Sequence, residues 1–132
     1  MESLECELLK IIKMELKSFV KEVYQSIDLA DAKKFASYLS EEGSFRFANN
    51  PAVVGRKAIE DFVDGFFKSL KSIRHSQLES WETEGVKFVN GIVTYTRHND
   101  TNLALPFSCT WKMKDQLINE YLIFIDSSAL YQ

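Results

Sequence analysis

Three side chains in this sequence carry acid-base chemistry in settings that favour it: Asp126, His75 and Tyr95. Asp126 closes the run Leu117 to Asp126, LINEYLIFID, in which six of ten residues are Leu, Ile or Phe and a seventh is Tyr. A run of that composition suits a strand with protein on both faces. Its terminal carboxylate therefore meets either a rim of water or a pocket. In a pocket, beside Phe124 and Leu122 on its own strand face, desolvation raises its pKa and makes it a general acid or base. At a rim it caps the following SSAL turn through its side chain, and the residues alone leave both readings open.

His75 shares a strand face with Gln77, Glu79 and Trp81. From there it reaches a pocket floor and pairs with Asp126, the carboxylate fixing its tautomer. The other reading places it just past a helix, held by the carbonyls of Ser69 or Lys71. Tyr95 either donates to a substrate carbonyl as an oxyanion stabiliser or packs with its hydroxyl at the rim. Arg97 binds a ligand carboxylate or pairs with Glu82 or Glu120, while His98, beside the NDTN turn, reads as solvated. Trp81 and Trp111 form pocket walls or an association face. The patterns GxGxxG, GxxxxGK[ST], HExxH and GxSxG do not occur, and the two histidines lie far apart. Nucleotide, serine-hydrolase and metal chemistry thus lack support, and no cofactor is expected.

These groups need elements to hold them. From Ser3 to Ile27, Leu4, Leu8, Ile12, Leu16, Phe19, Val23 and Ile27 recur three or four apart, the pattern of an amphipathic helix. A shorter helix follows, with Asp28 or Asp31 as N-cap and Ala32, Phe35, Ala36 and Leu39 inward, stopping near Gly43. Ser44 to Ala48 reads as a short strand. A third helix spans about Arg56 to Ser72; Gly65 inside it costs about 1 kcal/mol relative to Ala, which suggests close approach of another backbone.

Four long strands complete the chain: Arg74 to Glu82, Val86 to His98, Leu103 to Met113 and Leu117 to Asp126. Their short connections imply antiparallel neighbours. Asn90-Gly91 reads as a bulge rather than a hairpin turn, and Pro106 demands a bulge or an edge position. Irregularities in adjacent strands bend a sheet, and three helices are at hand to close its concave face.

At 132 residues the chain is expected to form one domain, residues 1–132. Hydrophobic residues make up 45% and charged ones 27%, with ten Phe, five Tyr and two Trp, which marks a folded globular protein. A net charge of -3 gives no footprint for nucleic acid or an anionic membrane. No run approaches the ~20 apolar residues of a membrane span, and the acidic start MESLECELLK is unlike a secretory signal, so a cytoplasmic location is expected. Cys6 and Cys109 lie in unlike contexts and read as free thiols; a disulfide needs the first helix to lie over the strand of Cys109.

Phe45-x-Phe47, Pro51-x-x-x-Gly55-x-x-x-Ile59-x-x-Phe62, His75 with Trp81, Gly91-Ile-Val-Thr-Tyr95-Thr, Leu105-Pro106-Phe107 and Phe124-x-Asp126 occur in this order. Together they resemble the SnoaL-like branch of the NTF2-like superfamily over nearly the whole chain. The resemblance implies an α+β cone: three N-terminal helices packed on a strongly curved, mainly antiparallel sheet, with a pocket inside and often a homodimer through the outer sheet face. It also implies a late catalytic Asp, as in SnoaL-like cyclases, and matches Asp126. The Arg between two Asp that marks limonene epoxide hydrolases is not evident.

Two functions follow as expectations. One is a cofactor-independent isomerase, cyclase or dehydratase acting on a small apolar carbonyl compound. Asp126 would be its acid or base, His75 the relay and Tyr95 the oxyanion donor, in a cavity shaped by Phe47, Phe62, Phe66, Trp81, Phe107, Trp111 and Phe124. The other is a dimeric module that only binds such a ligand.

Overall fold

The computed structural model describes residues 3–131. Helix α1 (Leu4–Asp28) is started by Ser3, whose hydroxyl accepts from the Cys6 amide at 3.2 Å, with Glu5 and Glu7 in its first turn. Its apolar stripe meets the body only from Leu16 onward; Leu4 and Leu8 are exposed. Helix α2 (Ala32–Ala36) is capped by Asp31, which accepts from the Lys34 amide at 3.0 Å. Strands β1 (Leu39–Phe47) and β2 (Val53–Val54) precede α3 (Arg56–Lys68). Then come β3 (Ser72–Thr83), β4 (Val86–Thr96), β5 (Asn102–Lys114) and β6 (Leu117–Phe124).

The six strands form one curved, unclosed sheet in the order β2-β1-β6-β5-β4-β3. Strand β1 runs parallel to β6, and every other pair is antiparallel. The α+β cone expected from the sequence is therefore present, with three departures in detail. The first strand starts at Leu39, so this residue belongs to β1 rather than to α2. Helix α3 stops at Lys68, which leaves Ser72 and Ile73 to the sheet. The two-residue strand β2, absent from the sequence reading, pairs Val53 with Phe45.

The bend also arises differently from expectation. Gly91 stands opposite Phe107 in an unbroken β4–β5 register. The extra residue lies in β3, where Ser76 pairs with Ile92 but Glu79 with Asn90, and Gln77 adopts φ 53°. Gly91 still matters: a Cβ there would lie 2.8 Å from Leu78 Cδ2 and 2.9 Å from Phe107 Cε1. The bulge falls in the edge strand, where unpaired amides reach water. Pro106 needs no bulge, because β6 ends at Phe124 opposite Ser108 and leaves that side of β5 open. No backbone crowds Gly65, since a Cβ there would meet nothing within 4 Å.

The core fills the concave face under α1 and α3. Trp111, Tyr121, Phe35, Leu39 and Ile59 are its largest fully buried side chains. Both cysteines are free, Cys6 exposed and Cys109 buried. Among the described residues no helix is long and apolar enough to cross a membrane.

Candidate functional site

A partly enclosed cavity of about 70 Å³ lies between the sheet and the helices, walled mostly by aromatic rings. Of the residues expected to shape it, Phe47 on β1, Phe62 and Phe66 on α3, and Phe107 on β5 do line it, as do His75 and Tyr95.

His75 is the polar centre of this wall, its side chain only 8% exposed. Its Nδ1 lies 2.6 Å from Oδ1 of Asp28, the last residue of α1. The His75 backbone amide donates to both oxygens of the same carboxylate, at 3.2 and 3.1 Å. A carboxylate at a helix C-terminus opposes the helix dipole; the imidazole and amide of His75 offset that cost with charge-assisted bonds. With Nδ1–H donating to Asp28, Nε2 is the nitrogen that carries the lone pair. Tyr24 packs on the ring at 4.6 Å and Phe107 meets it edge-on at 5.4 Å, so its orientation is fixed from both sides.

The remaining polar groups are held neutral. Burial, with the nearby Tyr131 and Cys109 groups, pushes the Tyr95 hydroxyl far above its usual value, so it stays a donor. Burial likewise pushes the Cys109 thiol up to about 12 against the opposing pull of Tyr24 and Tyr121, which excludes a thiolate nucleophile near neutral pH. The Tyr24 hydroxyl is buried beside Cys109 and Tyr121 and also raised, chiefly by desolvation. It has no hydrogen-bond partner of ordinary geometry.

Asp126 does not join this group. It is exposed, and its Oδ1 accepts from the Ser128 amide at 3.1 Å as a turn cap. Hydrogen bonding from Ser128 holds its carboxyl below the usual range, opposite to the rise expected in a pocket. The cause is strand phase: Tyr121 and Ile123 face the cavity, so Leu122, Phe124 and Asp126 face away. Phe124 is accordingly 57% exposed. Trp81 leaves the cavity for a second reason: the extra residue near Gln77 reverses the phase of β3, and Trp81 is 49% exposed. Trp111 is fully buried but outside the lining, backing the wall in contact with Tyr24 and Phe19.

Arg97 pairs with neither Glu82 nor Glu120, which take Lys87 and Lys112 instead. Its guanidinium donates to the carbonyls of Ala129 at 2.8 Å and Leu130 at 3.4 Å. This straps residues 129–131 over the cavity mouth, with Leu130 buried and Tyr131 in the lining. His98 is exposed, its Nε2 3.0 Å from the Lys68 carbonyl. Among the described residues no three His, Cys, Asp or Glu side chains converge as metal ligands do.

Sequence reasoning missed Asp28 as the partner of His75 because it served there only as a possible helix cap. Asp31 fills that role. The available signal was an Asp ending a long helix, where the dipole disfavours it. Tyr24, Cys109 and Tyr121 gave no signal, because their spacing is that of any core face.

Helices closing the concave face of a strongly bent sheet, with a histidine-carboxylate pair at the cavity wall, define an NTF2-like cone. A model of the SnoaL-like domain matches residues 20–121, and the chain belongs to that family. No curated protein matches the sequence. Among solved structures, a candidate polyketide cyclase from Xanthomonas campestris superposes with a TM-score of 0.79 at 13% identity, covering 89% of this chain and 94% of the other. An NTF2-like protein of unknown function from Burkholderia pseudomallei gives 0.78 at 15% identity, covering 87% and 93%. TerC, co-crystallised with polyporic acid, gives 0.75 at 17% identity, covering 88% and 95%.

Proposed function

We propose that this chain catalyses cofactor-independent proton transfer on a small apolar carbonyl compound, with isomerisation, cyclisation or dehydration as the outcome. One observation carries the reading: the 2.6 Å His75–Asp28 pair set in the wall of an otherwise apolar cavity. His75 Nε2 takes a proton from the carbon beside the carbonyl, and the Asp28 carboxylate stabilises the imidazolium that forms. The carbonyl oxygen gains negative charge as the C–H bond breaks, and a neutral tyrosine hydroxyl, Tyr95 first, donates to it. The imidazolium then returns the proton to another carbon, or to a departing hydroxyl, which leaves as water. His75 thus takes over the acid-base part assigned to Asp126 from the sequence, with Asp28 as the carboxylate that orients it.

A second reading, a module that binds without turnover, is favoured by the absence of any carboxylate among the cavity-lining residues described. Deuterium exchange beside the carbonyl separates the two. Cyclohexanone and 2-tetralone are incubated with the protein in D2O and followed by proton NMR. Catalysis predicts exchange above the buffer rate that falls about 10²- to 10⁴-fold in His75→Gln. Binding seen as shifts of the Phe107 resonances, with exchange at the buffer rate, leaves the module.

A further inference from the structure

The partly enclosed cavity is small, about 70 Å³, against roughly 300–1,000 Å³ for clefts that hold drug-sized ligands. Directly outside its mouth lies an open groove of about 580 Å³ between α3 and Tyr131. Asn50, Phe62, Phe66 and Tyr131 line both spaces, so the two adjoin across these side chains. Pro51, Gly65 and Ser69 complete the groove.

We infer that this groove is a second subsite for the same ligand, which holds a neutral apolar tail while the carbonyl-bearing head occupies the cavity. This rests on the reading proposed above for the cavity. Three observations support it beyond this adjacency. Phe62 and Tyr131 leave large rings 40% and 71% exposed at the groove, surface that a tail covers. No charged side chain lines it, so nothing there selects an anionic or cationic tail. Gly65 lies on the groove side of α3 with open space where a Cβ would sit, although glycine inside a helix is costly and no backbone approaches it. The missing side chain leaves the groove floor free. At the junction stands Asn50, whose side-chain amide makes no hydrogen bond among the described residues and is free to meet a polar atom between head and tail.

The test compares binding of cyclohexanone with 4-pentylcyclohexanone by titration calorimetry. The pentyl chain is expected to tighten binding to the unaltered protein about 30-fold, short of full burial because one side of the groove is open. Gly65→Leu fills the groove, and it should abolish that gain while leaving the cyclohexanone affinity within about twofold. An added Cβ meets nothing within 4 Å and leucine favours a helix over glycine, so the melting temperature should not fall. Tyr131→Ala, at an exposed position outside the core, provides a second variant and should remove part of the gain. Equal binding of the two ketones, or a pentyl gain that survives Gly65→Leu, overturns the subsite and leaves the cavity reading intact. Failure of both ketones to bind overturns the cavity reading and the subsite with it.

Discussion

One aspartate ends α1 and another stands two residues past β6, and their fates are opposite. Asp28 closes α1 and reaches 47 residues along the chain to His75, whose backbone and ring both donate to it. Asp126 follows β6 and reaches two residues, to the amide of Ser128. Both carboxylates satisfy backbone N–H groups, yet only one thereby fixes a titratable side chain at the wall of a cavity. The apolar company of Asp126 in sequence is greater, but company along a strand lies on alternating faces. The end of α1 lies over the bent sheet and so brings the Asp28 carboxylate to His75.

The contrast is broken most decisively by Asp28→Asn. An amide in place of the carboxylate loses the charge that stabilises the imidazolium and does not enforce the tautomer, so ketone exchange should fall about 10²- to 10⁴-fold, in line with His75→Gln. If Asp28→Asn exchanges at the unaltered rate, the pair has no catalytic part. The shorter Asp28→Ala should also cost about 1–3 kcal/mol in urea unfolding, because it leaves the part-buried His75 donors without their acceptor.

Gly91→Ala sharpens the comparison from the sheet side. Its Cβ would press on Leu78 and Phe107, the latter packed against His75. A loss of about 1–3 kcal/mol in urea unfolding is expected, and NMR should show the His75 resonances shifted.

The interior that Asp28 borders and Asp126 does not predicts a further difference. Burial pushes the folded Cys109 thiol up to about 12, above the ordinary thiol value of 9.0 that the unfolded chain takes. Between these values the unfolded chain releases a proton that the folded one keeps, so this contribution to stability is full below pH 9.0 and is lost as pH rises toward 12. Melting temperatures measured from pH 8 to 11 should therefore decline. At pH 8 a thiol reagent should modify Cys6 in the folded protein and Cys109 only after unfolding.

The smallest effect belongs to Asp126→Asn, which should leave ketone exchange unchanged. The folded pKa of Asp126 lies below its unfolded value of 3.8. Whatever stability it contributes is present above that value and is lost only as pH falls through the folded one. Thermal melts of the variant should lie slightly below those of the unaltered protein at pH 7 and converge with them below pH 4, where the carboxylate is itself protonated.

The amino-acid sequence by itself determined the three helices, a strand around Phe45 and Phe47, and the four long strands that follow, but not β2. Those features follow from local periodicity and composition, which the chain carries residue by residue. With the resemblance it also offered His75, Tyr95, Phe47, Phe62, Phe66 and Phe107 as candidates for a pocket, leaving His75 and Tyr95 open to structural roles. Tertiary structure alone decided the partner of His75, because a contact across 47 residues depends on where α1 ends over the sheet and leaves no trace in spacing. It alone decided which face of β6 looks inward, since one residue of register exchanges the two faces. The bulge at Gln77 shows the same physics within one strand: a single extra residue keeps His75 inward and turns Trp81 out to solvent.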